Sequence, residues 1–139
     1  MSLLRKCRTY ATTPVSIHCL KAGDALLHLL KENTLPRRGF HLHAYSGSAE
    51  QVSQFAELGA HFSFHAGQMQ PNAKKAPAAV QAVPADRLLV ETDAPDSLGG
   101  DDAPVFLRKS YETIAELRSS PVDALAEQVA ANFERYFLE

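Results

Sequence analysis

Apolar and polar positions alternate with two different periods along the chain, and this predicts a repeating strand–helix pattern. Short apolar or β-branched runs, typical of strands, occur at 15–19, 40–45, 60–64 and 88–90. After the first run, apolar residues recur at the i, i+3, i+4, i+7 spacing of a helix that buries one face. Together with capping and stop signals, this spacing predicts helices over 22–30, 48–58, 72–83, 105–117 and 121–137.

The distance between the predicted strands indicates how they are connected. Their centres, near residues 17, 41, 62 and 89, lie 24, 21 and 27 residues apart, which is typical of successive β-α units. Right-handed crossovers join such units into a parallel sheet. We therefore predict an α/β fold in one domain over 14–139, preceded over 1–13 by a lead-in that is a helix or a short targeting-like tail.

Composition excludes several classes of protein. The 139 residues include 45% hydrophobic and 22% charged residues, which excludes wholesale disorder, and no apolar run is long enough to span a membrane. Cys7 and Cys19 cannot form a disulfide framework, so we expect a reducing, cytoplasmic location; the acid-free first fourteen residues leave organelle targeting as an alternative. The net charge of -2 is unlike that of a globally basic nucleic-acid binder.

Three side chains at strand ends are candidate metal ligands. His18, His43 and Asp93 each follow or close a predicted strand, and parallel strands bring such positions to one edge of a sheet. Imidazole and carboxylate groups are ligands of hydrolytic divalent ions such as Zn²⁺. A hydrogen-bonded core role for each histidine, and a loop-capping role for Asp93, are the alternatives.

Five motifs follow one another from about residue 12 to the end of the chain. They are P-V-S-I-H-C at 14–19, H-A-Y-S-G at 43–47, G-A-H-F-S-F at 59–64, D-R-L-L-V-E-T-D-A-P at 86–95 and N-F-E-R-Y-F at 132–137. These motifs resemble, in order, those of the TatD family of metal-dependent hydrolases, a branch of the TIM-barrel metallo-hydrolases. The motif at 86–95 is the most specific, because it is close to the family's D-R-L-L-x-E-T-D-[AS]-P signature.

The resemblance implies a two-ion hydrolase that cleaves phosphodiester bonds in DNA as a 3′-5′ exodeoxyribonuclease. By motif, His18 and His43 would bind one divalent ion, and Asp93 would bind the other and orient or deprotonate the attacking water. Glu91 is expected to support Asp93, with a ligand role as the alternative. Mg²⁺, Mn²⁺ and Zn²⁺ are not distinguished, and DNA is the expected partner, gripped by the ions rather than by a basic surface.

The chain is expected to form part of a barrel. A (β/α)8 barrel typically takes about 250 residues, whereas this sequence predicts about four β-α units and a C-terminal helix. The resemblance therefore covers the C-terminal half of a TatD-like barrel, without the family's first-strand H-x-H pair and bridging glutamate. Two unpaired sheet edges and one uncovered sheet face would follow, so a homodimer or a missing N-terminal half is expected.

Other functions remain open at this point. The chain is alternatively a catalytically impaired relative, acting as a fragment or an interaction module, or a metal-dependent esterase acting on aminoacylated RNA. Two departures from the family bear on the site. His41 stands where the family usually has an aliphatic residue, and we expect it to lie deeper than His43, with a ligand role as the alternative. His65 and Ala66 replace a Ser-Gly pair, which puts local substrate contacts in doubt.

Overall fold

The computed structural model describes residues 12–139, which contain a four-stranded parallel sheet flanked by helices. The strands, in the sheet order β1-β2-β3-β4, are β1 (Ser16–His18), β2 (Phe40–His43), β3 (Ala60–Phe64) and β4 (Leu88–Val90). The helices are α1 (Gly23–Lys31), α2 (Ala49–Glu57), α3 (Lys75–Ala82), α4 (Ala103–Leu117) and α5 (Val122–Phe133). The predicted α/β fold with a parallel sheet is confirmed. Most of the lead-in predicted over 1–13, and with it Cys7, lies outside the described residues.

The helix boundaries differ from the predicted ones where local chemistry decides them. Helix α3 begins at Lys75 rather than at residue 72, so that Pro77 falls in its first turn, where no backbone donor is needed. Helix α4 begins two residues early, because the Asp102 side chain caps it by accepting a hydrogen bond from the Val105 N–H. None of the described helices is long and apolar enough to cross a bilayer.

Single turns complete the described chain. One 3-10 turn, Ala66–Gln68, follows β3, and a second, Ala85–Arg87, directly precedes β4. Helix α5 continues into a π-helical turn, Glu134–Leu138, which we call the C-terminal turn.

One face of the sheet is apolar and packs against the helices. Side chains that alternate along the strands point to this face because successive residues of a strand point to opposite sides. The strands and helices together form one core of fully buried side chains, which includes Phe40, Leu42, Phe62, Phe64, Leu88, Leu30, Val52, Phe55, Val80 and Ile114.

The opposite face of the sheet is polar. Strand register places Ser16 beside His41 and His41 beside His61, so these residues share one face. His41 and His61 are only 6% and 5% exposed, because the C-terminal turn lies over them. The ring centroid of Tyr136 is 4.4 Å from that of His61, and the Phe137 ring is 5.7 Å from His41. The expectation of an uncovered sheet face is therefore wrong for this part of the sheet.

Two glycines allow neighbouring strands to start close together. Gly39 and Gly59 precede β2 and β3 with φ angles of 81° and 93°, a backbone region that favours glycine. The Phe40 N–H donates to the Gly59 carbonyl at 3.2 Å, and a Cβ atom at Gly39 would collide with that same oxygen. The register of β2 against β3 thus depends on the absence of a side chain at Gly39.

We expect Gly39→Ala to lower the free energy of unfolding by about 2–4 kcal/mol, since it adds a backbone clash to the strain of a positive φ angle. Gly99→Ala is the matched control, because Gly99 also has a positive φ, 59°, with open space around it. That control should cost only about 1–2 kcal/mol. Urea unfolding followed by circular dichroism measures both, and equal losses would contradict a role for the close strand approach.

Candidate metal centre

His43 and Asp93 reach the carboxyl end of the sheet from β2 and β4, which lie on either side of β3. His43 is the last residue of β2, and Asp93 lies three residues after β4 ends. The backbone is left-handed at Ala44, the residue after His43, and at Asp93 itself, with φ angles of 45° and 53°. Such conformations cost on the order of 1–3 kcal/mol and persist where the surrounding structure holds them. Next to Asp93, the Thr92 carbonyl accepts a hydrogen bond from the Ser97 hydroxyl, and this contact helps to fix the loop.

The His43 ring lies between two carboxylates. Its Nδ1 is hydrogen-bonded to Oε2 of Glu91 at 2.8 Å, and its Nε2 lies 3.0 Å from Oδ1 of Asp93. Each of these three residues offers one possible metal-ligand atom, and the three atoms lie within 4.8 Å of one another. Among residues 12–139, His43, Glu91 and Asp93 are therefore a group that could hold a metal ion.

The chemistry of this group fits a divalent cation. If Nδ1 donates its proton to Glu91, the lone pair of Nε2 faces a carboxylate oxygen of Asp93, and two acceptors then oppose each other at 3.0 Å. A second acceptor, Oε1 of Glu91, is buried without a hydrogen-bond partner in the described chain. Either a doubly protonated imidazole or a bound cation resolves this arrangement, and one imidazole with two carboxylates suits Zn²⁺ or a similar ion.

His18 stands beside this group rather than within it. Strand register pairs His18 with His43, and their ring centroids lie 5.8 Å apart. The His18 side chain is exposed at the edge of the sheet. Of the three predicted ligands, the structure thus brings His43 and Asp93 into contact and places His18 next to His43. The described contacts of Glu91 run to His43 and Ser63, whereas the sequence led us to expect support of Asp93.

A histidine also approaches Asp93 from β3. Nε2 of His65 lies 3.8 Å from Oδ2 of Asp93, and the ring is buried beside Phe106. Burial lowers the pKa of His65, although the negative charges of Asp93 and Glu91 act in the opposite direction. The His65 imidazole therefore occupies space next to the Asp93 carboxylate.

A set of hydrogen bonds behind the site was not predicted from the sequence. Ser63 donates to Oε2 of Glu91 at 2.5 Å, and its oxygen lies 2.7 Å from Nε2 of His41. Nδ1 of His41 is in turn 2.9 Å from the Ser16 hydroxyl. The sequence does indicate that Ser63 shares a face with His61 and His65, because residues at i and i+2 of a strand point to the same side. The sequence does not show which residue of β2 faces it.

The two deep histidines are neutral near pH 7. Burial lowers the pKa of His41 to about 4, with the nearby His43 and His61 contributing in the same direction. Burial likewise lowers the pKa of His61 to about 4, and the positive charges of Arg87 and Arg135 act in the same direction against a smaller opposing effect of Asp86. His41 lies deeper than His43 beneath the C-terminal turn, at the place expected for it.

A family model and several known proteins are similar to this chain. The family model described as "TatD related DNase" matches residues 4–138. The "uncharacterized metal-dependent hydrolase YjjV" of Escherichia coli (strain K12) is 32% identical over 124 residues, which cover 86% of this chain and 48% of YjjV. The "3'-5' ssDNA/RNA exonuclease TatD" of Klebsiella pneumoniae (strain 342) is 30% identical over 134 residues, which cover 89% of this chain and 51% of that protein.

Solved structures show the same likeness. The crystal structure of Escherichia coli YjjV superposes with a TM-score of 0.86 at 29% identity, over 96% of this chain and 53% of the YjjV chain. A TatD family hydrolase from Entamoeba histolytica shares the fold with a TM-score of 0.76 at 16% identity, over 99% of this chain and 55% of that one. The chain thus spans about half the length of the relatives it matches.

The buried His61 predicts that stability is lost in acid. Its folded pKa, about 4, lies below the ordinary value of 6.5, so the unfolded chain binds more protons between these pH values. The contribution is complete above about pH 6.5 and decreases as the pH falls towards 4, by up to about 3 kcal/mol. Urea unfolding at pH 7.5, 6, 5 and 4.5 measures the loss, and His61→Leu should make its pH dependence shallower. An unchanged slope in His61→Leu would contradict the assignment.

Proposed function

Because the chain belongs to the TatD-related DNase family, we propose that it provides one side of the active centre of a metal-dependent hydrolase, with His18, His43 and Asp93 as metal ligands. The observation that carries this proposal is the convergence of His43 and Asp93 at 3.0 Å, in the two motifs that match the family. Glu91 supports this proposal because its carboxylate is hydrogen-bonded to Nδ1 of His43, the ring nitrogen that points away from Asp93. Curated relatives named metal-dependent hydrolases agree with such a centre.

The chain's own residues suggest a division of labour. A divalent ion, when bound, would supply Lewis-acid stabilisation of the charge on a phosphate group and would acidify a water molecule. Asp93, on its strained loop, offers one carboxylate oxygen towards His43 and the other towards His65. We assign to Asp93 both a ligand role and a catalytic role, in which it orients the attacking water or accepts a proton from it. His43 presents Nε2 because its other nitrogen is engaged by Glu91.

We propose single-stranded DNA as the substrate, cleaved from the 3′ end. Support comes from the motifs and from relatives whose name is 3'-5' ssDNA/RNA exonuclease. The chain has a net charge of -2, so a polyanion would have to be held locally, by cations at the carboxyl edge of the sheet. Paired ions that clamp a phosphodiester can do this without a basic surface.

We also propose that the sheet is one arc of a (β/α)8 barrel. Within residues 12–139, β1 and β4 each pair with one strand, and both therefore present a free parallel edge. Open parallel edges are typically covered or closed in stable proteins. A second copy of the chain, or an N-terminal half of the kind found in the longer relatives, would supply the neighbouring strands and further ligands.

The ligand assignment predicts that Asp93→Asn abolishes zinc binding and any nuclease activity while leaving stability within about 1 kcal/mol, since it removes a partly exposed charge from a loop. Zinc titration by calorimetry, a 3′-labelled single-stranded DNA and urea unfolding provide the three measurements. Asp96→Asn is the matched control, because Asp96 is exposed on the same loop.

Two results would contradict this assignment. One is wild-type protein that binds no zinc above the level of Asp93→Asn. The other is Asp93→Asn protein that has lost most of its folding stability, because Asp93 would then be structural. Turnover of an aminoacyl ester but not of DNA would instead favour the esterase alternative.

The barrel proposal predicts self-association if a second copy closes the sheet. Light scattering should then give about twice the chain mass of 15.2 kDa at micromolar concentration. A monomer at all concentrations would exclude closure by a second copy. In that case, addition of a separately produced N-terminal half from YjjV should raise zinc affinity, and no effect would contradict the arc.

A further inference from the structure

A cavity of about 420 Å³ lies at the amino end of the sheet, and we call it the amino-end cavity. Its lining comes from residues near the starts of β2, β3 and β4 and from the C-terminal turn, and consists of Arg38, His61, Asp86, Arg87, Arg135 and Tyr136. His61 is about 13 Å along β3 from His65, at about 3.3 Å per residue. The cavity is therefore distinct from the candidate metal centre, which lies at the carboxyl end.

The amino-end cavity has an excess of positive charge. Three arginines and one carboxylate line it. Nε of Arg87 lies 3.7 Å from Oδ2 of Asp86, and within residues 12–139 this is the one ion pair that the three arginines make. The guanidinium charges of Arg38 and Arg135 thus have no carboxylate partner in the described chain. Such a cluster attracts anions, and arginine is suited to phosphate because its planar fork of N–H groups matches two phosphate oxygens.

The structure holds two of these guanidinium groups in place before any ligand binds. Nη1 of Arg38 donates to the Tyr136 carbonyl at 2.9 Å, and Nη2 of Arg135 donates to the Asp86 carbonyl at 2.8 Å. A guanidinium carries five N–H donors, so both groups keep donors for a ligand after these bonds are made. Placing the side chains beforehand reduces the entropy that binding costs.

His61 supplies a second, independent observation. Its side chain lines the same cavity, is only 5% exposed, and has an Nδ1 atom without a hydrogen-bond partner in the described chain. A buried polar atom of this kind is costly unless a ligand or a water molecule pairs with it. Burial, and next the positive charges of Arg87 and Arg135, lower the pKa of His61 to about 4. The positive potential therefore extends to this ring.

We propose that the amino-end cavity binds a phosphate group, as free phosphate or on a small phosphomonoester such as a nucleotide. The four oxygens of a tetrahedral dianion can accept from Arg38, Arg87 and Arg135 together, whereas a carboxylate has only two oxygens. The cavity volume lies in the range of small-ligand pockets, roughly 300–1,000 Å³. This inference does not depend on the proposed metal site.

A bound phosphate would join separate parts of the fold. Arg38 directly precedes β2, Arg87 directly precedes β4, and Arg135 belongs to the C-terminal turn that covers His61. One anion held by all three would connect these elements at the amino end of the sheet. A ligand that binds only the folded state also stabilises it in proportion to the logarithm of its concentration.

The test is a titration of the full chain with sodium phosphate at about pH 8, with a chelator present and the ionic strength held constant with sodium chloride. Calorimetry should give a dissociation constant of about 1 mM or tighter, as expected for a few charge-assisted hydrogen bonds. In NMR spectra, the ring signals of His61 should shift, and those of the exposed His28 should not.

Three variants separate a phosphate site from a structural cluster. Arg87→Gln should weaken phosphate binding about 10–100-fold. Arg37→Gln is the matched control, because Arg37 is exposed, stands next to Arg38 and does not line the cavity. It should leave the affinity within about twofold. Asp86→Asn should strengthen binding about 2–5-fold, because it removes the carboxylate that repels the anion and competes for Arg87.

Further arms of the titration identify the ligand. A deoxynucleoside 5′-monophosphate that binds more tightly than inorganic phosphate supports a nucleotide as the occupant, and equal affinities support free phosphate. Acetate that binds as tightly as phosphate would overturn the proposal, because the cavity would then suit a protein carboxylate.

Three other results would overturn the proposal as well. They are wild-type protein without saturable phosphate binding, equal losses of affinity in Arg87→Gln and Arg37→Gln, and weaker binding in Asp86→Asn. If Arg87→Gln does not fold, the wild-type titration and Asp86→Asn still decide the matter. Zinc binding and nuclease activity do not enter these measurements, so failure of the proposed function leaves this test unaffected.

Discussion

The register of the parallel strands is the constraint on which the site depends. Backbone hydrogen bonding pairs Leu42 with Phe62 and Phe62 with Leu88, and this alignment sets which polar side chains meet on the opposite face. A shift of one residue in β3 would turn Ser63 into the apolar core and a phenylalanine towards His41. Apolar burial on one face of the sheet thus enforces polar contacts on the other, and Gly39 permits the close approach of β2 and β3.

Around His41, hydrogen bonds and a cover of aromatic rings stabilise the polar face, whereas Nδ1 of His61 and Oε1 of Glu91 have no hydrogen-bond partner in the described chain. Buried polar groups are costly when unpaired and inexpensive in a complete network. His41 finds partners on two strands, and the C-terminal turn shields it from water. Exposure increases towards the carboxyl ends of the strands, where His18, His43 and Asp93 are reached from solvent. The buried part of this face, around His41, therefore has a structural role. The proposed chemistry takes place at its solvent-accessible part, at the carboxyl ends of the strands.

Much of the fold and part of the site were accessible from the sequence. Strand spacing, apolar periodicity and the ordered motifs were sufficient to predict a parallel α/β fold, the family, and the approach of His43 and Asp93 at one end of the sheet, although His43 had been assigned to the same ion as His18 and not to that of Asp93. The boundaries of α3 and α4 were not, since a proline in the first turn and the cap at Asp102 decided them. The cover over His41 was also missed, because a contact between β2 and the end of the chain leaves no local pattern.

The amino-acid sequence by itself determined which residues are strands, which faces are apolar and which side chains have metal-binding chemistry, because these properties depend on near neighbours and on residue type. Only the tertiary structure decided that Glu91 contacts His43, that Ser63 joins Glu91 to His41, and that His65 comes within 3.8 Å of Asp93. Those contacts join residues on different strands, and their partners are set by register and by loop geometry, which arise only when the whole sheet is packed.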